Sequence, residues 1–236
     1  SDIIGSEILD ETRNFKFIKG PLFSNMILAD EINRTPPKTQ SALLEAMQER
    51  RVTAAGNTYT LDAPFFVLAT QNPIEQEGTY PLPEAQLDRF MFNIWVDYPS
   101  YTEELAIVQS TTSDFHHIIN PVISAQQIID YQDLIRRIPV ADNVLEYAVK
   151  LVGSTRVNSD NVPEITKKYI TWGAGPRASQ YLIIGAKCHA AINGRYSPDI
   201  EDVKIVAKPI LRHRLVKNYK AEAEGFSMDK IIETLL

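Results

Sequence analysis

The sequence contains one cysteine, Cys188, among its 236 residues, so an intrachain disulfide is excluded. It contains no apolar run near the roughly 18 residues that a bilayer-spanning helix needs, and its N-terminus shows no secretory signal pattern. It also lacks the basic balance of a dedicated nucleic-acid binder, because its net charge is −6. These absences favour a cytoplasmic protein in a reducing compartment, with no membrane partner and no nucleic-acid partner.

Short apolar stretches in the first hundred residues predict an α/β region. Met26-Ile-Leu-Ala29 and Phe65-Phe-Val-Leu-Ala69 are apolar throughout, which is typical of strands buried on both faces of a parallel sheet. Phe92 to Val96 alternates like a further strand. Hairpins are predicted over residues 1–20 and over Val52 to Leu61, the second with Gly56-Asn57 at its turn.

Helical periodicity dominates after Pro99. The pattern predicts helices at residues 102–111, 124–137, 142–155, 177–192, 199–218 and 227–236. An earlier helix should follow Thr35-Pro36-Pro37, with Thr35 as its cap. We therefore predict an α/β core domain over residues 1–99 and an all-helical domain over residues 100–236.

Two adjacent acids, Asp30 and Glu31, directly follow the first apolar strand. Ligands of open parallel sheets bind beyond the carboxyl ends of the strands. A carboxylate there can hold Mg²⁺, directly or through water, and a second can polarise an attacking water. Taken alone, the pair fits equally well a strand that merely ends in a polar loop.

A longer pattern surrounds these acids. The run from Gly20 to Arg50, which includes Asn25-Met-Ile-Leu-Ala-Asp-Glu-Ile-Asn33, resembles the Walker B region of MoxR-family AAA+ ATPases. The likeness continues, in the order of the family, through Ala69-Thr-Gln-Asn-Pro73, Leu87-Asp-Arg-Phe90, Gly175-Pro-Arg-Ala-Ser179, Leu211-Arg-His-Arg214 and Ala221-Glu-Ala-Glu-Gly225. The resemblance implies a partial P-loop NTPase core, with a parallel sheet, helices and hairpin inserts, followed by a helical lid.

The resemblance also implies roles for the polar residues of the first domain. Asp30 would bind ATP through Mg²⁺, partly through water, and Glu31 would activate the attacking water. Asn72 would be sensor 1, whose amide offers both a donor and an acceptor. Outside this family context, Asn72 reads as a turn former before Pro73.

Two arginines are implied as nucleotide contacts. Arg89 resembles the arginine finger that acts on ATP of the adjacent subunit, because a guanidinium matches phosphoryl oxygens. The alternative for Arg89 is a surface pair with Asp88 or Glu84. Arg177 resembles sensor 2, placed after Pro176 near a helix N-terminus that favours anions. The alternative for Arg177 is a solvated helix residue.

One expected motif is absent from residues 1–236. A full AAA+ module needs a Gly-x-x-x-x-Gly-Lys-Ser/Thr loop whose backbone amides and lysine cradle the phosphates, and no such run occurs. The sequence also opens with Ser1 and not with methionine. We expect the chain to begin partway into a longer protein and, on its own, to neither bind ATP tightly nor hydrolyse it.

The family resemblance extends to partners. It implies a ring, expected to be a hexamer, with ATP at the subunit interfaces and a client protein, such as a von Willebrand factor A-domain partner. The hairpins, residues 1–20 and 51–62, would contact substrates or simply cover the core. A different class of function is a non-catalytic interaction module with vestigial ATPase residues.

Three remaining features receive structural interpretations. The histidines 116, 117, 189 and 213 fit no standard zinc spacing. Cys188 lies among apolar residues and is expected to be an inert core thiol. A basic stretch favours a solvated helix face or subunit contacts over DNA; its members are Lys208, Arg212, Arg214, Lys217 and Lys220.

Overall fold

The structure is a computed structural model of the chain. It describes residues 3–9, 13–73, 78–113, 119–159 and 161–236. No helix in these ranges combines the length and the apolar character that crossing a membrane demands.

The described residues form eight strands, ten α-helices and two single-turn 3₁₀ helices, Pro21–Phe23 and Ile32–Arg34. The strands are β1 (Gly5–Leu9), β2 (Phe15–Lys19), β3 (Met26–Ala29), β4 (Arg51–Ala54), β5 (Asn57–Thr60), β6 (Phe66–Ala69), β7 (Ile170–Trp172) and β8 (Val216–Lys217). The helices are α1 (Pro37–Glu49), α2 (Glu84–Leu87), α3 (Tyr101–Thr111), α4 (Ala125–Arg137), α5 (Asp142–Ser154), α6 (Glu164–Tyr169), α7 (Pro176–Ile192), α8 (Ile200–Leu211), α9 (Tyr219–Ala223) and α10 (Met228–Leu235).

Strands β3 and β6 form a parallel pair, with Met26 opposite Phe66 and Ala29 opposite Ala69. Their inward residues Ile27 and Val67 pack against the first hydrophobic cluster, which is centred on Leu22, Ile32, Leu43, Leu44 and Phe65. The register places the ends of both strands side by side. Whatever follows each strand in sequence therefore meets at one edge of the sheet.

The outer face of this pair differs from the prediction of strands buried on both sides. Met26 is 64% exposed, Leu28 65%, Phe66 50% and Leu68 51%. The strand predicted at 92–96 is also not formed, and Val96 is 92% exposed. A strand needs a neighbour to receive its ladder hydrogen bonds, and among the described residues this segment pairs with no strand.

The hairpins β1–β2 and β4–β5 confirm the two predicted antiparallel pairs. The turn of the second hairpin lies one residue earlier than predicted, at Ala55-Gly56, where both residues have positive φ. The helix predicted after Thr35 is α1, but Thr35 does not cap it: its hydroxyl donates to the Ile32 carbonyl, and Pro36 occupies the cap position.

The second half is mainly helical, as predicted, but it also contains the short antiparallel pair β7 and β8 and two helices, α6 and α9, that were not predicted. The helix predicted over 199–218 ends at Leu211, because residues 216–217 form β8 and pair with β7. The second hydrophobic cluster lies between these helices and includes Val152, Leu182, Val203, Ile210 and Ile231. The two clusters lie on either side of residue 99, whereas α3 and α4 contribute no buried residue.

Candidate functional site

Thr70 organises the two acids at the end of β3. Its hydroxyl donates to Asp30 Oδ1 at 2.6 Å and accepts the Glu31 backbone N–H at 2.8 Å. The Thr70 carbonyl accepts the Ile32 N–H at 3.0 Å. One residue at the end of β6 therefore fixes the chain on both sides of Glu31.

The backbone at Glu31 is left-handed, with φ 47° and ψ 52°. This conformation costs a residue that has a Cβ about 1–2 kcal/mol of free energy. Residues held in such unfavourable backbone conformations cluster at functional sites. The turn directs the Glu31 carboxylate to Arg34, where the Oε2 to Nη1 distance is 3.2 Å. Both side chains are well exposed, so this pair is weak and easily exchanged for another partner.

Helix α1 and the end of β6 hold the loop that follows Glu31. The buried Gln40 amide donates to the Ile32 carbonyl at 3.0 Å and to the Tyr80 carbonyl at 2.8 Å. Asn33 Nδ2 donates to the Asn72 carbonyl at 3.3 Å. The predicted sensor 1 residue, Asn72, thus lies beside the acid-bearing loop, as the parallel register requires.

Arg214 is a lid residue that binds the segment containing the predicted arginine finger. Its Nε donates to Asp88 Oδ1 at 2.8 Å, and its Nη2 donates to the Asp88 carbonyl at 2.8 Å. Further bonds reach the carbonyls of Phe90, Met91 and Ile210. The side chain is 1% exposed. Burial lowers the pKa of Arg214, and the Asp88 carboxylate counteracts that change.

Arg177 lies in the first turn of α7, directly after Pro176, as predicted. Its Nη1 donates to Asp88 Oδ2 at 2.7 Å. It is therefore an ion-paired residue, although its side chain keeps 37% of its surface exposed. Its partner is a carboxylate beside the predicted finger, and not Asp30 or Glu31.

Arg89 is half-buried, and its backbone carbonyl accepts the Tyr181 hydroxyl of α7 at 3.3 Å. Within the described ranges no ion pair joins Arg89 to Asp88 or Glu84, and Asp88 is instead bound by Arg177 and Arg214. The surface-pair alternative for Arg89 is therefore wrong. Its role as a finger stays a prediction.

The basic stretch is not a solvated face at its centre. Arg212 donates to both Asp229 oxygens, at 3.0 and 2.7 Å, and its guanidinium lies 4.3 Å from the centre of the Trp95 ring. His213 Nε2 lies 3.0 Å from the Phe90 carbonyl, while its Nδ1 is buried and has no hydrogen-bond partner among the residues that the structure describes. Burial, reinforced by Arg214, lowers the pKa of His213 to about 4.

Of the remaining histidines, the structure describes His189 alone. His189 Nδ1 lies 2.6 Å from Asp202 Oδ1, and no set of three potential metal ligands occurs in the described ranges. Residues 116 and 117 lie outside those ranges. Cys188 is partly buried, and burial raises the pKa of its thiol, which fits the predicted inert role.

The acid edge offers oxygen donors of the kind that Mg²⁺ takes. Asp30 is exposed, and the Thr70 hydroxyl lies beside it. Because Mg²⁺ keeps several waters and needs only one or two carboxylates, these donors fit the ion. A cavity of about 270 Å³ adjoins Asp30 between β3 and α1, and its lining contains no lysine or arginine. The described part of the chain thus supplies oxygen ligands at this edge and no lysine or arginine to the cavity.

Sequence reasoning missed Thr70, Asp88 and Arg214. Thr70 could have been found as a hydroxyl at the end of the strand next to β3, a position equivalent to that of Asp30. Asp88 and Arg214 lie inside quoted motifs, yet their pairing joins residues 126 apart in sequence. No local pattern predicts such a contact.

Comparison with known proteins adds independent findings. Residues 1–92 match the model of the ATPase family associated with various cellular activities (AAA), and residues 162–235 match the AAA lid domain. The chain is 41% identical to the uncharacterized protein YeaC of Bacillus subtilis, over 100% of this chain and 72% of that protein. It is 43% identical to the chaperone MoxR1 of Mycobacterium tuberculosis, over 100% of this chain and 63% of that protein.

A solved structure shares the fold. It is a candidate ATPase from Cytophaga hutchinsonii, 45% identical in sequence, with a TM-score of 0.91 over 99% of this chain and 72% of that chain. The chain thus spans about two thirds of the lengths of these relatives. The family models, the identities and the shared fold agree with the motif order, and the chain belongs to the MoxR family of AAA+ ATPases.

Proposed function

We propose that this chain supplies the metal-binding, water-activating and sensing part of an ATPase site, and that ATP hydrolysis there drives chaperone-like remodelling or assembly of partner proteins. The main support is the acid pair at the carboxyl end of β3, where Thr70 orients Asp30 and fixes the strained Glu31 turn. Holding a glutamate in a costly backbone conformation is consistent with a catalytic task.

The proposed mechanism assigns separate roles to the two acids. Asp30 would hold Mg²⁺, partly through water, and the bound ion would neutralise charge on the phosphate oxygens. Glu31 would give up its weak ion pair with Arg34 and accept a hydrogen bond from the attacking water. Asn72, on the neighbouring strand end, would orient that water and the terminal phosphate.

The two arginines would act on phosphate from different subunits. Arg177, at the N-terminus of α7, would contact ATP of its own subunit, where the helix end also favours an anion. Arg89 would reach the ATP of the next subunit in a ring, which we propose to be a hexamer. Fingers supplied in this way raise phosphoryl-transfer rates by roughly 10³–10⁵ in well-studied systems.

The relative named chaperone MoxR1 supports chaperone-like work. The client would be a protein, for which a von Willebrand factor A-domain partner is our candidate. We place this work in the cytoplasm, in keeping with a single, partly buried cysteine. We also propose that the catalytic core and the lid divide at residue 99.

The phosphate cradle would come from residues outside the 236. The 236-residue chain alone should therefore bind Mg-ATP weakly and hydrolyse none. Calorimetric titration of this chain with Mg-ATP tests the point. A dissociation constant below about one micromolar would mean tight binding and would refute it.

Glu31→Gln in the full-length gene product tests the catalytic assignment. The amide keeps the size of the side chain but removes the negative charge that polarises water. We expect ATP binding to persist and turnover to fall by about 10²-fold or more, the range of a lost catalytic base. Glu45→Gln, an exposed α1 residue, is the matched control and should leave turnover unchanged. Unchanged turnover in Glu31→Gln would refute the role of Glu31.

A non-catalytic interaction module is the second candidate, and the lack of a phosphate-binding motif in residues 1–236 is what favours it. In that case the hairpins and the lid would bind a partner. The coding sequence upstream of residue 1 discriminates the two: a Gly-x-x-x-x-Gly-Lys-Ser/Thr run there favours the ATPase, and its absence favours the module.

A further inference from the structure

The Asp88 carboxylate is shared between two arginines of the lid. Oδ1 accepts from Arg214 at 2.8 Å and Oδ2 accepts from Arg177 at 2.7 Å. Asp88 lies directly before Arg89, the proposed finger. A single carboxylate thus connects the proposed sensor 2 residue with the segment that carries the finger.

The two arginines are held very differently. Arg214 is 1% exposed and donates to several backbone carbonyls as well as to Asp88. Arg177 is 37% exposed, and in the described ranges Asp88 is its one hydrogen-bond and ion-pair partner. Losing Asp88 would leave Arg214 largely in place, whereas it would release Arg177.

We propose that Asp88 is the resting acceptor of Arg177, a positioning residue that holds this arginine until a phosphate replaces the carboxylate. The inference rests on the proposed ATPase function. A terminal phosphate offers the same bidentate oxygen geometry as a carboxylate, with more charge. Asp88 keeps Arg214 as a counter-ion when Arg177 leaves, so the exchange leaves no buried charge unpaired.

The exchange links nucleotide binding to the finger. Arg214 and Tyr181 tie the backbone of residues 88–91 to the lid. When Arg177 changes partner, one of the side-chain bonds between the lid and this segment is lost. Binding of ATP by one subunit would then alter how firmly that subunit presents Arg89 to its neighbour, which is a coupling between two sites.

Chemical reactivity of Arg177 tests the resting contact without any turnover. We would treat the full-length gene product with phenylglyoxal and measure modification of individual arginines by peptide mass spectrometry. Asp88→Asn should raise the modification rate of Arg177 about threefold or more, while the buried Arg214 stays protected. Glu84→Gln removes an equal charge four residues away and should change neither rate. No change at Arg177 in Asp88→Asn would overturn the proposal.

A second variant covers failure of Asp88→Asn to fold. Asp88→Glu keeps the negative charge that Arg214 requires, but its extra methylene displaces the carboxylate. Because Arg214 is fixed by its carbonyl contacts, the displaced bond should be that with Arg177. Arg177 should react faster in this variant as well, and an unchanged rate there would also overturn the proposal.

Measurements of Mg-ATP binding and turnover distinguish a failure of this proposal from a failure of the proposed function on which it rests. Freed from its acceptor, Arg177 should bind phosphate more readily, so Asp88→Asn should lower the Kd for ATP about threefold. At saturating ATP kcat should change little, because Arg177 has by then left Asp88 in the unaltered protein as well and Arg214 keeps its carbonyl contacts. A faster-reacting Arg177 with unchanged Kd would overturn the exchange. Absence of ATP binding by the unaltered protein would instead overturn the proposed function.

Discussion

At the scale of single residues, His213 makes the stability of the junction between lid and core depend on pH. Its folded pKa is about 4, against about 6.5 in the unfolded chain, because burial opposes the charged ring. The unfolded state thus binds more protons between these values, and stability is lost as pH falls from about 6.5 to 4. We expect a loss on the order of 1–3 kcal/mol at pH 4, visible as a fall in Tm.

His213→Gln is the variant that isolates this effect. It retains a side-chain donor for the Phe90 carbonyl but cannot titrate. The Tm of the variant should depend less on pH between 7 and 5 than that of the unaltered protein. Parallel pH profiles for the two proteins would show that His213 is not the source.

The acids and arginines of the candidate site were named from the sequence one by one and their roles stay predictions, whereas their partners were not named. Asp30 and Glu31 follow an apolar strand, so their place at the sheet edge follows from the strand pattern. The pairs Asp88–Arg214 and Asp30–Thr70 join residues 126 and 40 apart in sequence. The first contact depends on how the two hydrophobic clusters dock, and the second on the pairing of β3 with β6; the sequence around each residue records neither.

At the scale of elements, Asp202 fixes the start of α8. Its side chain is 1% exposed and accepts from Arg195, from His189 at 2.6 Å and from the Asp199 backbone N–H at 2.8 Å. Hydrogen bonding by Arg195 holds the pKa of Asp202 well below its usual range. This network ties the end of α7 to the beginning of α8.

We expect Asp202→Ala to lower the free energy of unfolding by about 2–4 kcal/mol, because it leaves a partly buried arginine and a helix end unpaired. Glu201→Ala is the neighbouring control. Glu201 is 71% exposed and, among the described residues, has Lys204 as its ion-pair partner, so its loss should cost less than about 1 kcal/mol. Urea denaturation of both variants measures the difference, and equal losses would contradict the role of Asp202.

Elements that bury their own apolar face were predicted well, and elements that need a distant partner were not. Helices α5, α7 and α10 follow from local periodicity, so their bounds match within a residue or two. The segment at 92–96 has strand character in sequence, yet a strand exists only beside another strand. The end of α8 was misjudged for the same reason, since β8 is set by pairing with β7.

At the scale of the whole molecule, the exposed outer face of β3 and β6 should govern the solution behaviour of the 236-residue chain. Parallel sheets are normally covered on both faces, and exposed apolar patches with free strand edges promote association. We expect this chain to self-associate, and Leu28→Thr with Leu68→Thr to reduce that association at little cost in Tm. Sedimentation analysis and thermal unfolding measure both effects.

Ile27→Thr is the matched control, because Ile27 lies on the opposite face of β3 and packs against the first cluster. It should lower stability by about 1–3 kcal/mol without reducing association. Equal effects of the inner and outer substitutions would contradict the one-sided burial of the sheet.

The most direct test of the shared ATPase site is a mixing measurement in the full-length gene product. Glu31→Gln retains the finger, and Arg89→Ala retains the water-activating acid, so each variant alone should be nearly inactive. Mixed one to one in rings, about a quarter of the interfaces would join an intact Glu31 to an intact Arg89, as random head-to-tail assembly requires. We predict recovery of ATP turnover toward that fraction. Turnover in the mixture no higher than the sum of the two separate variants would contradict a site built by adjacent subunits.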